Sequence, residues 1–155
     1  MDMQVTRADS ASQMNKALMQ QIFADVSRGD ASSFYERLDE NATLIITGEY
    51  SWSQTLRGKE RIARDLYGYV RSRLSQRGKT HAFHFLADDD WVVVEARGDM
   101  VTKEGKPYQN HYCMLYRLAE GRIVEIKEYQ DSTLCERLLG PYPAELRGLS
   151  PEIRE

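Results

Sequence analysis

The chain has little of what commits a sequence to a specialised class. Among 155 residues there are two cysteines, Cys113 and Cys135, and four prolines. Two cysteines make no disulfide framework, which excludes a stapled secreted miniprotein and leads us to expect a reducing, cytoplasmic setting. No apolar run approaches the roughly 18 residues of a membrane span. Met1 to Gln13 also lacks the basic start and apolar block of a secretory leader. No membrane partner is therefore expected. Charge of one sign is lacking too. Lys plus Arg number 21 against 24 Asp plus Glu, a net charge of -3, which argues against a dedicated nucleic-acid binder. Histidine is scarce, and His81 and His84 stand three apart on an expected strand, so they point to opposite faces. No cysteine joins them at ligand spacing, and no metal or cofactor is expected.

What is present is the composition of a globular domain, 41% hydrophobic and 29% charged, with nine Tyr, four Phe and two Trp. At this length folding buries about 70% of the unfolded surface, enough for one core. Met14, Leu18, Ile22 and Val26 form a helical stripe, ended by Gly29, and Asp30 can cap a short second helix. Residues 42–47 read as a strand and Gly48 to Gly58 as a loop carrying Trp52. Lys59 to Gln76 returns to helical spacing through Ile62, Leu66 and Val70. Four strands then follow across 81–87, 91–102, 108–118 and 122–130, joined by short turns that make antiparallel neighbours. A helix spans 132–139, with Asp131 as its cap. Three of the prolines lie in 141–155, so that tail is expected to be extended and loosely held, following a single domain over 1–140. The plan is α+β: helices against one face of a curved antiparallel sheet.

A two-residue turn at Glu120-Gly121 pairs Ala119 with Arg122. Counting back sets Cys113 opposite Glu128, Leu115 opposite Ile126 and His111 opposite Gln130. Alternation puts Ile126 and Glu128 on the apolar, inward face. A carboxylate there has its pKa raised by desolvation, which makes Glu128 a candidate general acid or base. The bland alternative is a structural Glu paired with an arginine such as Arg73, which falls near the apolar arc of its helix. The outer face would then carry Tyr112, Met114, Tyr116, Ile123 and Tyr129, a patch large enough to need covering.

Several segments together resemble the nuclear transport factor 2-like superfamily, in its SnoaL-like and ketosteroid isomerase-like branch. They are Gly29-Asp30, Asn41-Ala42-Thr43, Arg57-Gly58-Lys59-Glu60, Gly121-Arg122-Ile123-Val124 and Glu128-Tyr129-Gln130-Asp131. The resemblance implies a cone-shaped sheet wrapped around helices, with a pocket at its open end, and a homodimer formed through the outer sheet face. The isomerase residues do not carry over, because Ile46, Ile22 and Cys113 stand at their positions. The limonene-epoxide-hydrolase set is also lost, at Leu44, Ile46, Ala96 and Gly98, except for an acid that aligns with Glu128. Strand parity and family alignment thus meet on Glu128. The expected site is Glu128 and His111 for proton transfer, in a pocket lined by Ile22, Ile46, Trp52, Cys113 and Leu115. Its ligand would be a small apolar or polyketide-like molecule, handled without a cofactor. Two alternatives stay open: a non-catalytic ligand-binding or dimeric module, and a scaffold using the basic helix face of Arg57, Arg61, Arg64 and Arg71.

Overall fold

In the computed structural model, which describes residues 7–151, long apolar stripes become helices and alternating segments become one curled sheet. The first six residues of the expected domain and the last four of its tail lie outside the described residues. Helices α1 (Arg7–Val26) and α2 (Ser32–Arg37) lead into β1 (Leu38–Ile46) and β2 (Gln54–Arg57). Next come α3 (Lys59–Arg61), a π-helical turn (Ile62–Tyr67) and α4 (Gly68–Arg73), continuous with one another. The second half holds β3 (Lys79–Asp88), β4 (Trp91–Val101), β5 (Pro107–Tyr108), β6 (His111–Ala119) and β7 (Arg122–Gln130). Helix α5 (Ser132–Leu139) and a 3-10 turn (Ala144–Leu146) are the last elements among the described residues.

The sheet runs β2-β1-β7-β6-β4-β3, with β5 paired to β4 outside that path. The α+β plan of N-terminal helices on a curved sheet is the observed one. The sheet is mixed, however: among the described residues β1 and β7 pair in parallel and every other strand pair is antiparallel. Those two strands are far apart in sequence, so no hairpin forces them antiparallel. Helix α1 lies across β3 and β4. Its buried arc runs through Met19, Ile22 and Phe23, while Met14, expected on the stripe, is exposed. The stretch expected as a loop contains β2, which pairs Leu56 with Leu44 and Gln54 with Ile46.

One irregularity decides which residues face inward. The turn at Glu120-Gly121 has both residues at positive φ, 51° and 73°, as a tight hairpin requires, and it pairs Ala119 with Arg122 as expected. A bulge between Arg117 and Leu118 then shifts the pairing by one residue. From there Glu128 lies opposite Met114, and Cys113 lies opposite Tyr129. A one-residue slip turns a strand over. Tyr112, Met114 and Tyr116 therefore face the interior, and His111, Cys113 and Leu115 face outward. This corrects the expected pairing and the expected outer patch: of its five residues, Ile123 is also buried and only Tyr129 is well exposed.

The tail is better held than its prolines suggested. Tyr142 is buried and its hydroxyl donates to the Asp65 carbonyl. Leu149 exchanges two backbone hydrogen bonds with Thr55, at 2.8 and 3.1 Å, which extends the sheet beyond β2. Gly148 makes that approach feasible, since a Cβ there would lie 2.3 Å from the Thr55 carbonyl oxygen. At the other end of the sheet Asp131 caps α5, its Oδ1 accepting from Leu134 N at 3.0 Å.

Candidate functional site

Between the helices and the inner face of the sheet lies a cavity of about 200 Å³. Ile22 and Phe23 of α1, Phe34 of α2, Ile46 of β1 and Leu66 of the π-helical turn give it an apolar wall. Trp52, fully buried in the turn before β2, closes one side, with its indole N–H donating to the Gly140 carbonyl at 2.9 Å. Strands β6 and β7 supply the opposite side through Tyr112, Met114, Tyr116, Glu128 and Gln130. Of the residues singled out from sequence, Ile22, Ile46, Trp52 and Glu128 come together here. The other three do not. Cys113 and Leu115 lie on the outer face because of the bulge, and His111 is exposed beside Arg97 on β4.

Glu128 is the one carboxyl in this lining. Parallel pairing sets it beside Ile46, and antiparallel pairing sets it beside Met114. Neither neighbour offers it a hydrogen bond. Glu128 is half-buried in the cavity wall, and desolvation pushes its pKa from an ordinary 4.5 up to about 7. One contact works against that shift: the Tyr67 hydroxyl donates to Oε1 over a long 3.4 Å. Arg73 does not reach the carboxyl; its Nε is buried without a hydrogen-bond partner.

Tyr67 reaches Glu128 because its helix is locally underwound. The Gly68 N–H bonds to the Ala63 carbonyl five residues back, so each π-helical turn takes one more residue than an α-turn. The extra residue carries Tyr67 onto the inner face beside Leu66. There its ring packs edge-to-face on Phe34, with centroids 5.6 Å apart, and on Tyr35 at 6.1 Å. Burial first, and the Glu128 charge second, push the Tyr67 pKa well above its usual value, so this phenol stays protonated. Tyr116 is buried, and among the described residues its hydroxyl has only the Met114 sulfur as acceptor, at 3.3 Å. A thioether is a weak acceptor, which leaves this O–H available to a better one.

A hydrogen-bond network backs the part of the cavity wall formed by Tyr108 and Gln130. Asn110, fully buried, shares the two N–H groups of its Nδ2 among three acceptors within reach, the Tyr108 hydroxyl, Gln130 Oε1 and the Asp131 carbonyl. Its own Oδ1 accepts from the backbone N–H groups of His111 and Asp131. Gln130 in turn donates to the Tyr50 hydroxyl at 2.8 Å. Cys135, on α5, also lines the cavity, and burial pushes its thiol up to about 12, so it stays protonated at neutral pH. Among the described residues no three His, Cys, Asp or Glu side chains come together as a metal site.

Sequence reasoning missed Tyr67, Tyr112, Met114 and Tyr116. For β6 a signal existed: Tyr112, Met114, Tyr116 and Leu118 alternate as an unbroken large apolar face, while the other face carries His111 and Arg117. No residue pattern announced the π-helical turn.

The result is an α+β domain in which a curled sheet and its helices surround an apolar cavity whose lining holds one acid. Residues 19–126 match the SnoaL-like domain, and the chain belongs to that family. No curated protein matches it in sequence. Solved structures are similar over most of its length. Bal32a, from a soil-derived mobile gene cassette, has a TM-score of 0.71 and 21% identity, covering 83% of this chain and 98% of its own. A candidate SnoaL-like polyketide cyclase from Jannaschia sp. CCS1 has a TM-score of 0.68 and 16% identity, covering 92% of this chain and 100% of its own. TerC, co-crystallised with polyporic acid, has a TM-score of 0.68 and 15% identity, covering 81% and 97%. At these identities the likeness establishes the fold.

Proposed function

We propose that the protein binds an apolar, polyketide-like molecule in the Glu128 cavity and moves a proton on it, using its own side chains. The observation that carries this reading is the carboxyl itself: half-buried in an apolar cavity wall, hydrogen-bonded by one phenol, with its pKa raised to about 7. A carboxyl so poised takes a proton from an acidic carbon and returns it elsewhere at neutral pH. The Tyr116 hydroxyl is the group to donate to a carbonyl oxygen as enolate charge develops there. Isomerisation, aldol closure and dehydration share that step. His111, on the outer face, takes no part in it.

The second reading is a binding module without catalysis. Ile46 favours it, because the β1 position beside Glu128 carries no second acid or base. Deuterium exchange at the α-carbon of a panel of cyclic ketones and 1,3-diketones, followed by NMR in D2O, separates the two. Proton transfer predicts exchange that rises with pH up to about 7 and drops about 100-fold or more in Glu128→Gln. Ligand-induced thermal stabilisation with no exchange in either protein would leave the binding module.

We also propose that the protein is a homodimer acting in the cytoplasm. The outer face of β3, β4, β6 and β7 exposes Phe83, Leu86 and Tyr129, which a second copy would cover, and both cysteines are free thiols. Sedimentation equilibrium with Leu86→Glu tests the dimer. A wild-type monomer would end that part of the reading.

A further inference from the structure

The inner cavity, at about 200 Å³, is smaller than the roughly 300–1,000 Å³ of pockets that enclose drug-sized ligands. A molecule larger than a compact ring system must extend out of it. Beside it lies a second, outer cleft of about 520 Å³. Four residues, Ala31, Tyr35, Tyr67 and Val70, line both spaces, so the two share one aromatic wall. Unlike the inner lining, the outer cleft carries cations. Arg71, in the last turn of α4, and Arg77, in the connection to β3, both border it and are both exposed.

Among the described residues neither arginine is held in an ion pair. Arg71 spends one Nη1 bond on the Leu74 carbonyl at 3.2 Å, leaving its other N–H groups unused. Asp30 interacts with Arg77 through charge alone, and its Oδ1 accepts from both the N–H and the hydroxyl of Ser32. Arg28, close by, is engaged by Asp25. The cleft thus keeps two guanidinium groups whose planar N–H pairs match an oxyanion.

We infer that the ligand is an amphipathic anion: its apolar body fills the inner chamber, and a carboxylate or phosphate group lies in the outer cleft against Arg71 and Arg77. This rests on the inner cavity being the binding chamber. The arginines then select and orient the molecule, and they present its opposite end to Glu128.

A matched pair of dyes tests it. 1-Anilinonaphthalene-8-sulfonate and N-phenyl-1-naphthylamine share one apolar body, and only the first carries an anion. Binding of each is followed by fluorescence in the wild type, in Arg71→Ala/Arg77→Ala, and in the chamber-filling variants Ile46→Trp and Ile22→Phe. Ile22→Phe is the milder filler should the larger one fail to fold. The expected result is tighter binding of the sulfonate, weakened by roughly 3- to 10-fold in the double arginine variant, as two partly exposed ion pairs imply. The neutral dye should bind that variant unchanged, and filling the chamber should expel both dyes. Octanoate or octyl phosphate should displace the sulfonate at concentrations where octanol does not, and the better competitor names the anion. Equal binding of both dyes with no effect of the arginines, while filling still expels both, overturns this inference and leaves the chamber reading intact. Dyes that stay bound after the chamber is filled overturn both.

Discussion

Replacing Glu128 with glutamine isolates the cost of holding a carboxylate in the chamber. In the unfolded chain this group releases its proton near 4.5, whereas in the folded protein it holds it to about 7. Between those values the folded state binds more protons, so stability falls as pH rises through the window. Below pH 4.5 both states are protonated and the penalty vanishes. Above pH 7 it is complete, at about 3 kcal/mol for a shift of about 2.5 units at 1.36 kcal/mol each. Glutamine has nearly the same shape and still accepts from the Tyr67 hydroxyl, but it never ionises. For a domain of this size 1 kcal/mol moves the melting temperature by about 2–4 °C, so Glu128→Gln should melt roughly 6–12 °C above the wild type at pH 8. Near pH 4 the two should melt together. Differential scanning calorimetry at half-unit steps from pH 4 to 9 measures the difference directly. A difference that stays constant across that range, or a wild type that is the more stable at pH 9, would refute the argument. Glu128 would then ionise as it does in water, and proton transfer at neutral pH would lose its basis.

Removing the Tyr67 hydroxyl in Tyr67→Phe takes away the contact that holds the Glu128 pKa down. Its carboxyl 13C titration should move above 7 by up to about one unit, the worth of a hydrogen bond to a charged group, and a downward move would be contrary evidence. Asp131→Ala strips the cap from α5 and should cost about 1 kcal/mol in urea denaturation, with an unchanged midpoint counting against the cap. Gly148→Ala drives a methyl into the Thr55 carbonyl and breaks the reciprocal Thr55–Leu149 pair, which should cost about 1–3 kcal/mol. Tryptic cleavage after Arg147 should also quicken, and wild-type cleavage kinetics would show the tail held by other contacts.

By itself the sequence determined the class of fold, its longer helices and strands, and the address of one acid. Apolar period alone distinguishes the helices from the strands, and the inward parity of Glu128 follows from its own strand, since Ile126 and Glu128 alternate whatever lies beside them. The turn at Glu120-Gly121 was legible because two adjacent residues at positive φ favour such a pair. What surrounds Glu128 was decided only in three dimensions. The bulge beyond Arg117 is a property of two strands together, and it exchanges Cys113 and Leu115 for Met114 and Tyr116 on the cavity wall. The parallel pairing of β1 with β7 joins residues about eighty positions apart, which no local pattern encodes. The π-helical turn that delivers Tyr67 forms where packing against Phe34 and Tyr35 offsets its poorer backbone geometry. Local chemistry placed an acid inside the sheet. Tertiary pairing chose the phenols that face it, because register and helical phase depend on neighbours brought in from elsewhere in the chain.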